Sequence, residues 1–492
     1  MALDSAVMWT NLIQWLEQHG CKDPDKYIKL VETSGKSPGR GLVAKGAIKP
    51  ATKLISIPSS ALLNVKSLGS LYPSNFEKLL NSYQWVSLHI ALQYARNRQR
   101  RVTSPRDRFK PFIASIPQDF PTLPLTWSLG SRTKQELIWN FDLDAQDETL
   151  SSHNEGQRRL FADLLSCMPP AVKNRAASVE KRFRQDWKRT RQVWAELRAS
   201  NSEETDELCF FDFALAWKNV NTRCVYFDLG LSKDDNFTLA PVIDMINHAD
   251  RREASRDHLV LQSSTADRRH KTKPLQSMSK GLEFSSPSTR SIDPPLRDGE
   301  ELSFSYGAHE DAMLLTEYGF TLGAGNPFNN LDCTPVVEQL FNEQGEEGAL
   351  KRGVLQDAGY WGEMTMQGSE HDASASWRVL IALRLLHLRI STSGASLTAS
   401  TIEPFYAVVA GDADIISDSN EKQVKASLRT ICQVIKLQAD EALPRCDRLL
   451  TKWTANKDES VSADFVQSLS MLKGVWQEDL RIARAVLVNL EP

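Results

Sequence analysis

The 492-residue chain has no run of about 18 apolar residues, the length that a membrane-spanning helix needs. Its opening, MALDSAVMWTNLIQWLEQHG, lacks the basic-then-apolar order of a secretory signal, so a soluble intracellular protein, cytoplasmic or nuclear, is expected. An excess of charge is missing too: 59 Lys and Arg stand against 62 Asp and Glu, leaving −3 and no whole-chain field toward nucleic acid or an anionic membrane. The seven cysteines, Cys21, Cys167, Cys209, Cys224, Cys333, Cys432 and Cys446, are scattered and form no C-x-x-C pair. Reduced, buried thiols are therefore expected, and no metal centre. Absent as well are G-x-x-x-x-G-K-[ST], H-E-x-x-H and a strand running into G-x-G-x-x-G. Nucleotide hydrolysis and zinc proteolysis thereby lose their usual support.

What the chain does have is an ordinary globular balance, 41% hydrophobic and 25% charged, enough to bury large cores. At roughly 150 residues per domain, its length fits about three folding units or one large domain with an appendage. Leu12, Ile13, Trp15 and Leu16 share one face of a helix expected over 7–19, which Gly20 would stop. From 40 to 58, GLVAKGAI and KLISIP read as strand, turn, strand. Between about 75 and 220 the period is helical, with Phe183, Trp187, Thr190, Trp194 and Leu197 at steps of three and four. Two basic clusters in this block, around Arg98 to Lys110 and Lys181 to Arg191, read as solvated helix faces. Strands are expected again at 239–245, 258–262, 281–284 and 301–306, with a mobile basic loop over 263–280. After 335, long amphipathic helices at 377–390, 421–442 and 464–490 predict a separate helical domain.

Three segments could carry chemistry: SPGRGLVAKGAI (37–48), APVIDMINHAD (240–250) and GEELSFSYGAHEDAMLLTEYGF (299–320). In the first, Gly39 and Gly41 flank Arg40, a pattern that permits a tight turn and close approach of backbone to a ligand. In the second, Asp244, Asn247 and His248 fall within five residues. An Asn amide offers a donor and an acceptor suited to a heterocycle edge, whereas His248 is either ligand-facing or a buried ring with both nitrogens satisfied. In the third, Tyr306 ends a strand, Tyr318 follows twelve residues later and Phe320 lies just beyond. Such residues either wall an apolar channel with directed hydroxyls or fill a core.

Taken together, GRGLVA, DMINHA and ELSFSYG…EYGF, in this order and spacing, resemble the SET-domain methyltransferases, in the branch that includes the Rubisco large-subunit methyltransferase and its animal and fungal relatives. The resemblance implies an α+β chain: a split SET β-fold with a helical insertion, plus a C-terminal all-α substrate-binding domain. The corresponding boundaries are an N-terminal helix at 1–24, a SET domain at 25–325 with its insertion at about 61–215, and the helical domain at 335–492. The cofactor it implies is S-adenosylmethionine, contacted by the backbone of Gly39, Arg40 and Gly41, with adenine recognised by Asn247 and His248. Thr222, Arg223, Cys224 and Val225 match the family's Ser-Arg-x-Phe segment, which brings Arg223 near the methionine carboxylate. A planar guanidinium suits that carboxylate. Val225 replaces the usual aromatic, and Pro38 stands where relatives can carry an acidic residue. Asp244, Tyr306 and Phe320 complete the implied cofactor set. Tyr306 is implied to orient the acceptor, with Tyr318 as a second wall or hydrogen-bonding group.

The implied activity is methylation of lysine on a folded protein, such as a ribosomal or translation protein, docked by the C-terminal helices. The alternatives are a histidine acceptor and a non-catalytic module of the same fold. Neither nucleic acid nor membrane is an expected partner.

Overall fold

The computed structural model describes residues 5–33, 39–50, 52–72, 78–99, 104–144, 154–201, 206–249, 260–263, 282–285, 296–369, 371–389, 392–393, 396–397, 399–455 and 463–491. Pro38 and the expected basic loop from 264 onward lie outside the described residues. The chain divides into two compact units, one of 1–158, 177–308 and 317–320, the other of 159–176, 309–316 and 321–492. The second unit thus takes in 159–176, a stretch that the sequence places in the helical insertion.

In the first unit, helix α1 (Ser5–Gln18) buries Met8, Leu12, Ile13, Trp15 and Leu16 along one face. It stops at Gly20, whose φ of +90° is open to a residue without a Cβ. Strand β1 (Ile28–Thr33) pairs antiparallel with β2 (Gly39–Ala44), Val31 facing Gly41 and Glu32 facing Arg40. The two glycines expected to form a turn are therefore ladder residues. Buried Leu42, Val43 and Ala44 anchor the strand, and its pairing runs back across both glycines without a positive φ.

Strand β3 (Lys53–Ile57) is followed by the insertion. There α2 (Ser82–Arg98) starts at a capping box, the Asn81 side chain accepting the Gln84 N–H while the Gln84 side chain accepts the Asn81 N–H. Helix α3 (Pro170–Ser200) buries Phe183, Trp187, Thr190 and Trp194, the face that the sequence period marks. Helix α4 (Phe210–Arg223) adds Phe210, Phe213 and Trp217 to the same core. Side chains of this size stabilise by about 1.5–3 kcal/mol each when fully buried, which makes the insertion an integral part of the unit. Several members of the basic clusters are paired rather than merely solvated: Arg98 meets Asp212, Arg106 meets Asp206, Arg182 meets Glu317, and Arg184 meets Glu180.

Short strands β4 (Val225–Tyr226) and β5 (Phe237–Thr238) pair with each other. The expected strand at 239–245 is a correction: only Leu239 bridges, to Leu63, and Ile243–Met245 is a 3-10 turn. Pro241 has no N–H for a ladder, and Val242 sits at φ +71°, so the chain turns; its apolarity reflects burial, not pairing. The turn delivers β6 (Asn247–His248) parallel to β9 (Glu301–Phe304), Asn247 beside Ser303 and His248 beside Phe304. Between them in sequence, β7 (Val260–Ser263) and β8 (Leu282–Ser285) form a sheet in the order β3-β8-β7, while the other sheet runs β1-β2-β9-β6.

Helix α5 (Asp311–Tyr318) leads on to the second unit. Alongside its helices this unit has a small antiparallel sheet of β10 (Asn330–Asp332), β11 (Thr365–Gln367) and β12 (Ser374–Ala375), too short to leave an alternating pattern in the sequence. Its core gathers Leu331, Phe341, Leu383, Ile431 and Ile482 from the sheet and from helices including α6 (Trp377–Leu386), α7 (Asp418–Ala455) and α8 (Ala463–Asn489). Among the described residues, no helix is long and apolar enough to cross a membrane.

Candidate active site

Three backbone features of the first unit converge on one cavity of about 210 Å³. The end of α4 and β4 contribute Thr222, Arg223, Cys224, Val225 and Tyr226 to its wall. The turn before β6 contributes Ile243, Asp244 and Ile246, and the exit of β9 contributes Phe304, Ser305 and Tyr306. Tyr318 closes the set. Of the residues marked in the sequence, Arg223, Asp244, Tyr306 and Tyr318 therefore line the cavity. Gly39, Arg40, Gly41, Asn247, His248 and Phe320 do not.

Tyr306 is fixed at both ends. Its backbone N–H donates to His248 Nδ1 at 3.0 Å, and its hydroxyl donates to the Ile246 carbonyl at 2.7 Å. Since His248 Nδ1 accepts, a neutral His248 carries its proton on Nε2. The Tyr306 ring lies 5.2 Å from that of Tyr318 and 5.1 Å from that of His248, with Phe320 at 6.4 Å. Burial pushes the Tyr306 hydroxyl well above the ordinary tyrosine range, and burial raises Tyr318 as well. Both phenols are thus neutral at physiological pH. Asn247, one residue before His248, donates from Nδ2 to Glu301 Oε1 at 2.8 Å.

Arg223 Nη1 donates to the Asp244 backbone carbonyl at 2.5 Å and stands 3.6 Å from Asp244 Oδ2, an ion pair too long for a hydrogen bond. Among the described residues, both Asp244 carboxyl oxygens and Arg223 Nε are buried without a hydrogen-bond partner. Burial pushes the Asp244 carboxyl up to about 6, against the opposing pull of Arg223 and Arg40. Arg40 itself is lowered, first by burial and then by Arg223. A guanidinium and a carboxyl, Arg223 and Asp244, whose unused polar atoms lie in the cavity wall, suit a ligand bearing both an ammonium and a carboxylate, the amino-acid end of a molecule such as S-adenosylmethionine. The cavity is smaller than the roughly 300–1,000 Å³ of drug-sized sites, so it houses part of such a ligand.

The residues that hold this aromatic cluster in place escaped the sequence reading. Glu317 accepts from Arg182 Nη2 at 2.6 and 2.7 Å and from Asn221 Nδ2 at 2.9 Å, and Tyr83 donates to Asn221 Oδ1 at 2.7 Å. These bonds tie the residue before Tyr318 to α3 and α4. Gly319, with φ +83°, passes so close to the chain at 122 that a Cβ would lie 2.7 Å from Thr122 Oγ1. Tyr226 is 64% exposed yet lines the cavity beside Val225, the position where the family's aromatic is absent. A second aromatic one residue further on was the available signal.

The parallel pairing of β6 with β9, two segments far apart in sequence meeting beside Tyr306, defines a SET-fold protein. The solved SET domain of LSMT bound to lysine and AdoHcy superposes with a TM-score of 0.59 at 14% identity, covering 99% of this chain and 93% of that one. Rubisco LSMT bound to AdoMet gives 0.56 at 14% identity, over 98% and 93%. In sequence, the chain is 28% identical to "Ribosomal lysine N-methyltransferase 2" of Saccharomyces cerevisiae over 413 residues, 76% of this chain and 81% of the relative. It is 23% identical to "SET domain-containing protein 4" of Mus musculus over 487 residues, 96% and 89%. No protein-family model matches the chain. The SET fold is established by these likenesses, and the chain is similar to the Rubisco LSMT-like branch of SET-domain proteins.

Proposed function

We propose that this chain transfers methyl groups from S-adenosylmethionine to lysine side chains of a folded protein, and that this acceptor is a ribosomal or translation protein. The observation that carries the reading is the single cavity in which Arg223 and Asp244 present unused polar atoms beside the ring of Tyr306. The similarity to a yeast ribosomal lysine N-methyltransferase supports the acceptor class. When bound, S-adenosylmethionine supplies an electrophilic methyl group on a sulfonium cation.

The chain's own residues have two tasks, to align the amine and to let it become neutral. A lysine of reference pKa 10.4 requires about 4.6 kcal/mol to be neutral at pH 7, from roughly 3.4 units at 1.36 kcal/mol each. The apolar wall of Val225, Ile246 and Phe304 desolvates an amine, which favours its neutral form. Tyr306 spends its hydroxyl proton on Ile246, so toward an amine its oxygen acts as an acceptor and not as a donor. Because burial keeps that phenol protonated, Tyr306 orients the amine and does not deprotonate it. Arg223 and Asp244 would hold the amino-acid end of the cofactor, with Arg40 adding positive potential. Surface selectivity falls to the helical second unit, since a narrow cavity accepts only a side chain. A ribosomal acceptor would place the enzyme in the cytoplasm or the nucleus.

The test is incubation of the pure protein with isotopically labelled S-adenosylmethionine and an extract lacking the enzyme, with mass spectrometry of labelled peptides. Label on a lysine of a ribosomal or translation protein is expected. Label confined to histidine, or none on any protein, would overturn the reading.

A further inference from the structure

The second unit has a cavity of its own, of about 30 Å³, that the transfer chemistry does not use. Asp479 of α8 and Asp332 of β10 line it, together with the Trp476 ring, Ile435 and Gln438 of α7, and Val336. Asp479 is only 5% exposed. Its carboxyl makes no hydrogen bond or ion pair among the described residues, unlike its neighbour Glu478, which is held by Arg481 at 2.8 Å. Among the described residues no cation offsets it; burial, Asp332 and Glu478 all push its pKa upward. Asp332 is partly engaged, one carboxyl oxygen accepting the Thr334 N–H at 2.9 Å. The Trp476 indole N–H is committed to the Cys167 carbonyl at 2.9 Å, which fixes the ring as a cavity wall.

A buried carboxyl with no partner is costly to keep and would be cheaper as an apolar residue, so a site that supplies its counter-charge from outside gives it a purpose. The volume admits about two water-sized groups, which matches an ammonium with its last methylene and is tight for a guanidinium. An indole face beside a carboxylate is a favourable seat for such a cation. The rim reaches solvent at Gln438, which is exposed.

We infer that this cavity is a docking subsite for the ammonium of a second lysine on the protein acceptor, with Asp479 as its counter-charge and Trp476 as its wall. The acceptor part of this inference rests on the proposed protein-methyltransferase function, whereas the cation site stands on the second unit alone.

The experiment is a titration of the full chain, labelled with ¹⁵N at its indoles, with n-butylammonium chloride. The Trp476 resonance is assigned by its loss in Trp476→Phe. A saturable shift of that resonance is expected, at least tenfold weaker in Asp479→Asn and abolished in Gln438→Lys, which tethers a competing ammonium at an exposed, fold-neutral position. An equal shift from sodium chloride or from 1-butanol, or unchanged affinity in both variants, would overturn the site. With the acceptor protein from the extract, Asp479→Asn is expected to raise KM several-fold with kcat and cofactor affinity kept; an unchanged KM would overturn the docking role. Absence of any methyl transfer by the parent protein defeats the proposed function and not the cation site, which the indole titration decides independently.

Discussion

A phenol held neutral by burial can receive an amine N–H but cannot take its proton, and this distinction sets what Tyr306 contributes. Removing its hydroxyl in Tyr306→Phe deletes the orienting acceptor and also leaves the Ile246 carbonyl without its donor. The expected result is a rate of transfer lower by on the order of a hundredfold. A stability loss of about 1–3 kcal/mol accompanies it, with the cofactor dissociation constant nearly unchanged. A radiolabelled-methyl assay at saturating cofactor checks the rate, and parity with the parent would remove Tyr306 from the reaction. Asn247 makes the complementary case, because it lies outside the cavity wall and its amide donates to Glu301. If Asn247 recognises adenine, Asn247→Ala weakens cofactor binding in calorimetry without slowing transfer at saturating cofactor. An unchanged dissociation constant would confine this residue to holding β9. At this scale, Arg223, Asp244, Tyr306 and Tyr318 were readable because each sits in or beside a short recognisable segment. Glu317, Asn221 and Tyr83 were not, since what matters about them is mutual contact between residues 96 and 138 positions apart.

Among elements, the helices were legible and the strands only partly so, for a reason visible in individual cases. The face of Phe183, Trp187, Thr190 and Trp194 repeats at helical spacing and is buried as its period demands. The run from 239 to 245 is apolar throughout, and an apolar run that lacks alternation marks burial without naming the backbone; Pro241 and Val242 decided for a turn. Gly39 and Gly41 misled in the opposite direction, since glycine permits a turn but does not force one, and the ladder with β1 took both. At Gly319, by contrast, the positive φ does favour glycine. In Gly319→Ala, the Thr122 hydroxyl can rotate away from the new methyl group, but the φ of +83° remains, at a cost of about 1–2 kcal/mol. Because Gly319 separates Tyr318 from Phe320, the relief of that strain moves the aromatic cluster. The expected outcome is a lower melting temperature together with a reduced kcat at unchanged cofactor affinity. A variant as active and as stable as the parent would show that the loop tolerates the strain without repositioning Tyr318.

Across the first unit as a whole, acid sensitivity is set by a group far from the chemistry. His89 on α2 is 2% exposed, its Nδ1 meets the Tyr72 hydroxyl at 3.0 Å, and its Nε2 is buried without a hydrogen-bond partner among the described residues. Burial, reinforced by the nearby charge of Arg106, lowers its pKa to about 3. In the unfolded chain the same imidazole titrates near 6.5. Between those values the unfolded state binds the extra proton, so stability is complete above about pH 6.5 and declines as pH falls toward 3. The ceiling is about 5 kcal/mol, from roughly 3.5 units at 1.36 kcal/mol each, and about 2 kcal/mol of it is lost by pH 5. His89→Gln keeps a polar side chain for Tyr72 but cannot charge. Hydrogen exchange of the α2 amides, measured at pH 7 and pH 5 and corrected for intrinsic exchange, reads the local stability of this unit directly. The parent is expected to lose about 2 kcal/mol more protection than His89→Gln over that interval. An equal loss in the two proteins would mean that His89 is protonated within the fold, with the Tyr72 contact rearranged to admit the charge.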